Sequence, residues 1–299
     1  MQIGFLGFGE AASTFVQTLR TELDLSVVTF DRLLDDAATR QIVIRRADAL
    51  SVICADNAIA LANATHHIFS TVTADQSLLA VQALCEHLTP DHVIFDMNSV
   101  SPGKKRATAE LVCAQGAQYI DIAVMAPVLP RGHQTPMLVS GPNQAVIEPL
   151  LRQMHWNVSW KGDAIGDASV VKMLRSILIK GMESLISECV TAAEPLGIAD
   201  EILASAGKTL GISEMASLSD YVMERVAVHG QRRSEEMREV AATLTELGVS
   251  NHMAHAIADH QQMIATLDAR TYFKGSVPKD RSQLGQFFNR GQQVPGDDA

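Results

Sequence analysis

Apolar residues in the first half of the chain fall in short blocks separated by longer stretches with helical spacing. The blocks Gln2–Leu6, Leu25–Phe30, His67–Thr71 and His92–Met97 read as strands, followed by Tyr119–Val124, Met137–Ser140 and Asn157–Trp160. Apolar positions recur at three and four residues in Ser77–Leu88, Gly103–Gln115 and Gln144–Met154, which predicts helices. Strands alternating with helices at this spacing predict βαβ units and a doubly wound, mostly parallel sheet. After Gly162 the rhythm changes. Ala168 to Ala193 contains no proline and one glycine, Gly181, and reads as one helix. Further helices are predicted over Asp200–Leu210, Met215–Val228, Ser234–Leu247 and Met253–Leu267. The pattern therefore predicts an α/β domain over residues 1–163 and an all-α domain over 164–299. The last residues, Gln292–Ala299, carry Pro295, Gly296 and two aspartates and read as a frayed end.

Composition narrows the function classes. With 299 residues and 47% hydrophobic content, the chain can bury a substantial core in each of two domains. The net charge of −10 gives no basic footprint for a nucleic-acid partner. No apolar run approaches the ~18 residues of a membrane span, so no membrane partner is expected. The four cysteines, Cys54, Cys85, Cys113 and Cys189, lack CxxC spacing and read as reduced thiols. The first apolar block feeds a glycine turn rather than following a basic leader, so a cytoplasmic location is expected.

The sharpest local motif is Gly7-Phe8-Gly9-Glu10-Ala11-Ala12, between a predicted strand and a predicted helix. In G-x-G-x-x-G/A the first glycine makes the tight turn and the second lets the backbone approach a pyrophosphate. The third position, here Ala12, needs a small residue for helix–strand packing. The helix N-terminus then presents N–H groups and a positive dipole end to phosphates. Asp31 follows the next strand, about 20 residues on, where a carboxylate accepts hydrogen bonds from the adenosine ribose. These features point to a Rossmann domain that binds NAD or NADP through Gly7, Phe8, Gly9, Glu10, Ala11 and Asp31. Asp31 would repel a 2′-phosphate and favours NAD, whereas Arg32 could embrace one and leaves NADP open. Thr71 and Val72, at a neighbouring strand end, fall on the same edge.

From here the chain resembles the β-hydroxyacid dehydrogenases, the family of 6-phosphogluconate and 3-hydroxyisobutyrate dehydrogenases. Beyond the glycine turn, three stretches carry the resemblance. Asp96-Met97-Asn98-Ser99-Val100-Ser101-Pro102 is similar to the family's D-x-S-T-x-x-P segment beside the nicotinamide, which would put Asn98 and Ser99 there. Ser101-Pro102 is equally a helix start signal, and both roles can hold. Asp121-Ile122-Ala123-Val124-Met125-Ala126-Pro127 resembles the stretch that holds the substrate carboxylate, which implies substrate contacts from Ala123, Val124 and Met125. The family's Ser-Gly-Gly is replaced here by Met125-Ala126-Pro127. His133, in the loop that follows, is a candidate polar contact.

Gly166-Asp167-Ala168-Ser169-Val170-Val171-Lys172-Met173-Leu174-Arg175-Ser176 resembles the family's G-x-G-x-x-x-K-x-x-x-N helix. The resemblance implies that Lys172 is the general acid/base, with Ser176 in the place of the usual asparagine. Val170, Val171, Met173 and Leu174 surround the lysine with apolar residues, which suggests a sheltered amine. His229-Gly230-Gln231-Arg232-Arg233-Ser234-Glu235-Glu236-Met237 is similar to a segment of a 6-phosphogluconate-dehydrogenase-like branch of unknown substrate. Arg232 or Arg233 could clamp an acid there, or form a salt-bridged helix face. The resemblance implies an NAD(P)-dependent oxidoreductase acting on CH–OH groups of a small-molecule acid, and a homodimer built through the helical domain. Two alternatives stay open: an imine reductase, although relatives of that kind usually replace the lysine, and a non-catalytic NAD(P)-binding sensor. His252, His255 and Asp259 have metal-ligand spacing, but with nothing to support them they read as a polar helix face, so no metal is expected.

Overall fold

The computed structural model describes residues 1–291, so the frayed end expected at Gln292–Ala299 lies outside the described residues. The chain divides into two compact units between Met173 and Leu174.

The first unit is a Rossmann-like α/β domain. Its elements are β1 (Gln2–Leu6), α1 (Glu10–Leu19), β2 (Ser26–Phe30), α2 (Ala37–Ala49), β3 (Ile53–Cys54), α3 (Ala58–Ala64) and β4 (His67–Ser70). They continue with α4 (Ser77–Cys85), β5 (Val93–Asp96), α5 (Pro102–Cys113), β6 (Gln118–Val124), β7 (Met137–Ser140), α6 (Gln144–Gln153) and β8 (Val158–Gly162). The eight strands lie in the order β3-β2-β1-β4-β5-β6-β7-β8. All neighbours are parallel except β6 and β7. Helices cover both faces, so the central strands are buried on both sides and their sequences are nearly all apolar. Register sets the core. Phe5 pairs with Phe69, and Phe69 with Phe95, so three rings stack across β1, β4 and β5 at 5.6 and 4.6 Å. The sheet is flanked by short or polar edges: β3 has two residues, and β8 exposes Ser159 and Lys161.

Three elements, β3, α2 and α3, escape the apolar pattern. β3 is too short to show alternation. Only Val43 and Ala47 are buried along α2, and Ala58, Leu61 and Ala62 along α3. Both helices are instead announced by caps, with Asp36 accepting from the Ala38 N–H and Asn57 from the Ala60 N–H.

The second unit is all-helical. Helix α7 (Asp167–Ala193) begins in the first unit and runs 27 residues, starting one residue before the helix expected over Ala168–Ala193. It is followed by α8 (Ala199–Leu210), α9 (Met215–Glu246), α10 (His252–Thr266), α11 (Ala269–Tyr272) and α12 (Arg281–Gly291). The two helices expected over Met215–Val228 and Ser234–Leu247 are one continuous helix of 32 residues. Gly230 does not break it. A Cβ there would lie 2.6 Å from the Gln261 carbonyl oxygen and 3.2 Å from the Ala265 Cβ, so glycine lets α9 and α10 approach closely. Gly230→Ala is therefore expected to lower the melting temperature. Overpacking costs about 1–3 kcal/mol, against a helix-propensity gain of about 1 kcal/mol. A thermal melt higher than wild type would show that the crossing yields without cost. Among the described residues, no helix is long and apolar enough to cross a membrane.

Candidate cofactor and acid–base site

Strand order reverses between β1 and β4, and the carboxyl ends of these strands carry the glycine turn and Thr71. In open α/β sheets this switch point is where ligands bind. Gly7 sits at φ +88°, and its N–H donates to the Phe30 carbonyl at 2.8 Å. A Cβ on Gly7 would meet Val72 Cγ1 at 2.7 Å and the Thr71 carbonyl oxygen at 2.9 Å. The turn therefore requires glycine. Gly9 differs, because a Cβ there would meet nothing within 4 Å. It caps α1 without a side-chain acceptor, so the first-turn N–H groups point toward open space. Room at a helix N-terminus is what a pyrophosphate needs to approach the backbone. Phe8 contributes backbone only, its ring being fully buried, and Ala12 is also fully buried where the helix meets the sheet. Glu10 is exposed and Ala11 half-buried in the first turn of α1.

Asp31 binds the turn from the end of β2. Its Oδ2 accepts from the Phe8 N–H at 2.8 Å and its Oδ1 from the Leu33 N–H at 2.9 Å. Each oxygen keeps a second lone pair for a ribose hydroxyl. Arg32 extends to Gln76, with Nη1 donating to Oε1. Arg46, which the sequence reading did not single out, donates from Nη1 to the Phe8 carbonyl at 2.7 Å. Its only signal is an arginine in a polar helix, and the contact spans 38 residues.

The loop after β4 is laced on both sides. Thr71 Oγ1 donates to the Gly7 carbonyl at 2.8 Å, and the Val72 N–H donates to Asn98 Oδ1 at 2.7 Å. Asn98 Nδ2 donates to Ser70 Oγ at 2.9 Å and to Ser77 Oγ at 3.2 Å. The Asn98 amide thus binds the β4 and β5 loops together, a different use from the ligand contact expected of it. Ser99 is the residue that meets the lysine: Lys172 Nζ donates to Ser99 Oγ at 2.5 Å, and Lys172 is half-buried. Ser101 caps α5, accepting from the Lys104 N–H at 3.3 Å.

Several expected substrate contacts are placed otherwise. Ala123 and Val124 lie opposite Leu138 and Met137 in the ladder, and the Met125 N–H donates to the Pro136 carbonyl at 2.9 Å. Sheet pairing thus takes up the backbone of this stretch as far as the Met125 N–H. His133 is a correction to the sequence reading. It is buried, its backbone N–H donates to Thr18 Oγ1 at 3.0 Å, and its Nε2 lies 3.1 Å from Glu22 Oε1 beyond the C-terminal end of α1, away from the glycine turn. Glu22 also pairs with His155, and these partners hold its carboxyl below the usual value.

In the helical unit, Ser176 is buried and accepts from Lys180 Nζ at 3.1 Å. Lys180 also pairs with Glu236 at 3.0 Å; burial lowers its ammonium pKa and Glu236 partly offsets that. Arg232 pairs with Glu236 at 3.6 Å on the same helix, matching the salt-bridged reading. Arg233 is buried in an ion pair with Glu183 of α7, so it is a core residue rather than an open clamp. Its guanidinium could meet an acid only by giving up that pair, a costly exchange for a buried charge. His252, His255 and Asp259 gather no metal set; among the described residues no group of three or more such ligands is found.

Residues 2–162 match the NAD binding domain of 6-phosphogluconate dehydrogenase, more than half of the chain. The chain belongs to that family. Residues 193–264 match a domain of unknown function, DUF1932. A conserved hypothetical protein from Sinorhizobium meliloti is 29% identical, with a TM-score of 0.73 over 97% of this chain and 96% of its own. A second conserved protein, described as structurally similar to 3-hydroxyacid dehydrogenases, is 28% identical, with a TM-score of 0.67 over 89% of this chain and 98% of its own. The 3-hydroxyisobutyrate dehydrogenase of Mycobacterium tuberculosis, studied with L-serine, shares the fold at 15% identity. Its TM-score is 0.70 over 95% of this chain and 98% of its own. The first unit is therefore an NAD(P)-binding domain.

Proposed function

We propose that the protein is an NAD(P)-dependent oxidoreductase that interconverts a CH–OH group and a carbonyl on a small acid, with Lys172 as general acid/base. The observation that carries this reading is the Lys172–Ser99 contact of 2.5 Å, in the domain that carries the glycine turn and the open space at Gly9. When bound, the dinucleotide supplies the hydride acceptor or donor. Ser99 Oγ accepts from Lys172 Nζ and so fixes where the amine points. In the oxidation direction, the substrate O–H proton passes to the neutral amine as the C–H bond gives up its hydrogen with the electron pair. In reduction, the ammonium returns that proton to the forming alkoxide. Such proton transfer assists by roughly 10²–10⁴-fold. Asp31 supports NAD as the preferred form, since its carboxylate faces the ribose end of the turn; Arg32 and Arg46 are the nearby cations a 2′-phosphate would use.

The test is absorbance at the nicotinamide band with NAD and NADP, each against a panel of 3-hydroxy acids, sugar acids and semialdehydes. Turnover with NAD at least about 10-fold better than with NADP is expected, since a 2′-phosphate beside Asp31 sets like charges together. No turnover, with tight dinucleotide binding retained, would favour the sensor reading. Turnover of imines alone would favour the reductase alternative.

A homodimer through the helical domain is part of the proposal. Leu174, Leu178, Met182 and Leu185 form an exposed apolar row at helical spacing on α7, with Leu178 70% exposed. Leu178→Asp with Leu185→Asp is expected to convert a dimer to a monomer in size-exclusion chromatography with light scattering. A wild-type monomer would end this part of the reading.

A further inference from the structure

A fully buried charge cluster lies beneath the acid–base pair, and the reaction as described makes no use of it. Lys105 of α5 is wholly inaccessible. Its Nζ donates to the Asp96 carbonyl at 2.7 Å and contacts Asp96 Oδ1 at 3.0 Å and Asp121 Oδ1 at 3.2 Å. Three acceptors match the three donors of an ammonium. Asp96 and Asp121 are register partners on β5 and β6, so the strands bring the two carboxylates side by side.

Two arms leave this cluster. On the first, Asp96 Oδ1 accepts from the Asn98 N–H at 2.8 Å, shaping the turn that delivers Ser99. Asp96 Oδ2 accepts from the Tyr119 hydroxyl. Burial, and then the two aspartates, push that phenol well above its usual pKa, so it remains a donor. On the second arm, Asp121 grips the start of α7. Its Oδ1 accepts from Ser169 Oγ at 2.7 Å and its Oδ2 from the Ser169 N–H at 3.0 Å. Ser140 Oγ donates to Asp121 Oδ2 at 3.2 Å and accepts from the Ala168 N–H at 3.0 Å. Ser169 precedes Lys172 by three residues on the same helix. The cluster carries two negative charges and one positive, and the N-terminal dipole of α7 faces the surplus. The arms end on Ser99 and Lys172, the two side chains in contact.

We propose that Lys105 is a positioning residue: by holding Asp96 to Asp121 it sets the distance between Ser99 and Lys172. The proposal rests on the reading of Lys172 as acid/base. Lys105 itself touches neither of the two. A buried ion cluster is a poor source of stability, because apolar residues of similar volume often serve as well or better. It does fix geometry, and a misplacement of about 1 Å at a reacting group can cost 10²-fold.

The test compares the full-length wild type with Lys105→Met, Ser169→Ala and Ser169→Thr. Each variant is first checked for a cooperative melt and for dinucleotide binding. Two readouts follow. One is the kcat-against-KM split on whichever panel substrate the wild type turns over. The other is the rate at which acetic anhydride acylates Lys172, measured by peptide mass spectrometry against the exposed Lys161 and Lys279 of the same molecule. Lys105→Met and Ser169→Ala are expected to lower kcat by at least about 10-fold and to leave the dinucleotide KM within about twofold. They should also raise Lys172 acylation several-fold as the amine leaves Ser99. Ser169→Thr keeps the hydroxyl and is expected to recover most of both. If Lys105→Met does not fold, the two Ser169 variants decide. If the wild type turns over nothing, the hydride-transfer reading has failed, and acylation alone decides the positioning. Unchanged acylation in a folded Ser169→Ala overturns the proposal. So does unchanged kcat where the wild type is active.

Discussion

Lys172→Ala is expected to cut kcat by about 10²- to 10⁴-fold while dinucleotide affinity stays within about twofold. The proton that leaves the substrate hydroxyl then has no positioned acceptor, and water must take it. Ser99 Oγ, which accepts from Lys172 at 2.5 Å, cannot substitute, because a neutral hydroxyl is a far weaker base than an amine. The lysine lies outside the glycine turn and its laced loop, so dinucleotide binding should persist. Kinetics on the panel substrate and fluorescence titration with NAD and NADP check both halves. A variant that keeps wild-type kcat would remove Lys172 from the chemistry. A variant that loses binding and turnover together would make it a cofactor ligand instead.

Gly9→Val is expected to weaken dinucleotide binding by more than about 100-fold with little change in melting temperature. The fold has room for the side chain: a Cβ meets nothing within 4 Å, and the residue's extended backbone, φ −78° and ψ −162°, suits a β-branched residue. The same room is where the pyrophosphate must approach the N-terminus of α1, and an isopropyl group would hold it off those N–H groups. Loss of a few charge-assisted hydrogen bonds, at about 1.5–3 kcal/mol each, accounts for the factor. Gly7→Val makes the contrast. Its φ of +88° and the Thr71 backbone 2.9 Å away predict loss of folding stability as well as binding. Equal dinucleotide affinity in wild type and Gly9→Val would show that the phosphates lie elsewhere.

The strands, the glycine turn and Asp31 were legible because each is a local signal: an apolar block, a short motif, an acid at a fixed distance. The fold class followed from the alternation of these blocks. The gap left between the helices expected over Met215–Val228 and Ser234–Leu247 holds Gly230, and only the approach of α10 shows that this glycine is a contact inside one helix. α2 was invisible because its few apolar residues form no stripe. Lys172 was found by the resemblance of one helix start, and its neighbour Ser99 by that of another segment. The Lys105 cluster was not found at all. Its partners lie 9 and 16 residues away on different strands, and a lysine in a polar helix gives no sign that it is buried. His133 shows the converse: a polar residue in a loop that turned out to be packed against α1. Where pairing depends on register rather than on neighbours in the chain, sequence pattern has nothing to read.

The edges of the sheet bear on how the protein fails when it is concentrated or warmed. An exposed strand edge can recruit another chain by backbone pairing and so begin a fibril. Here one edge, β3, is two residues long, too little to seed such growth. The other, β8, exposes Ser159 and Lys161, and a lysine on an edge discourages stacking. Self-association of the folded protein should then proceed through helix faces and give amorphous, dispersible aggregates rather than amyloid.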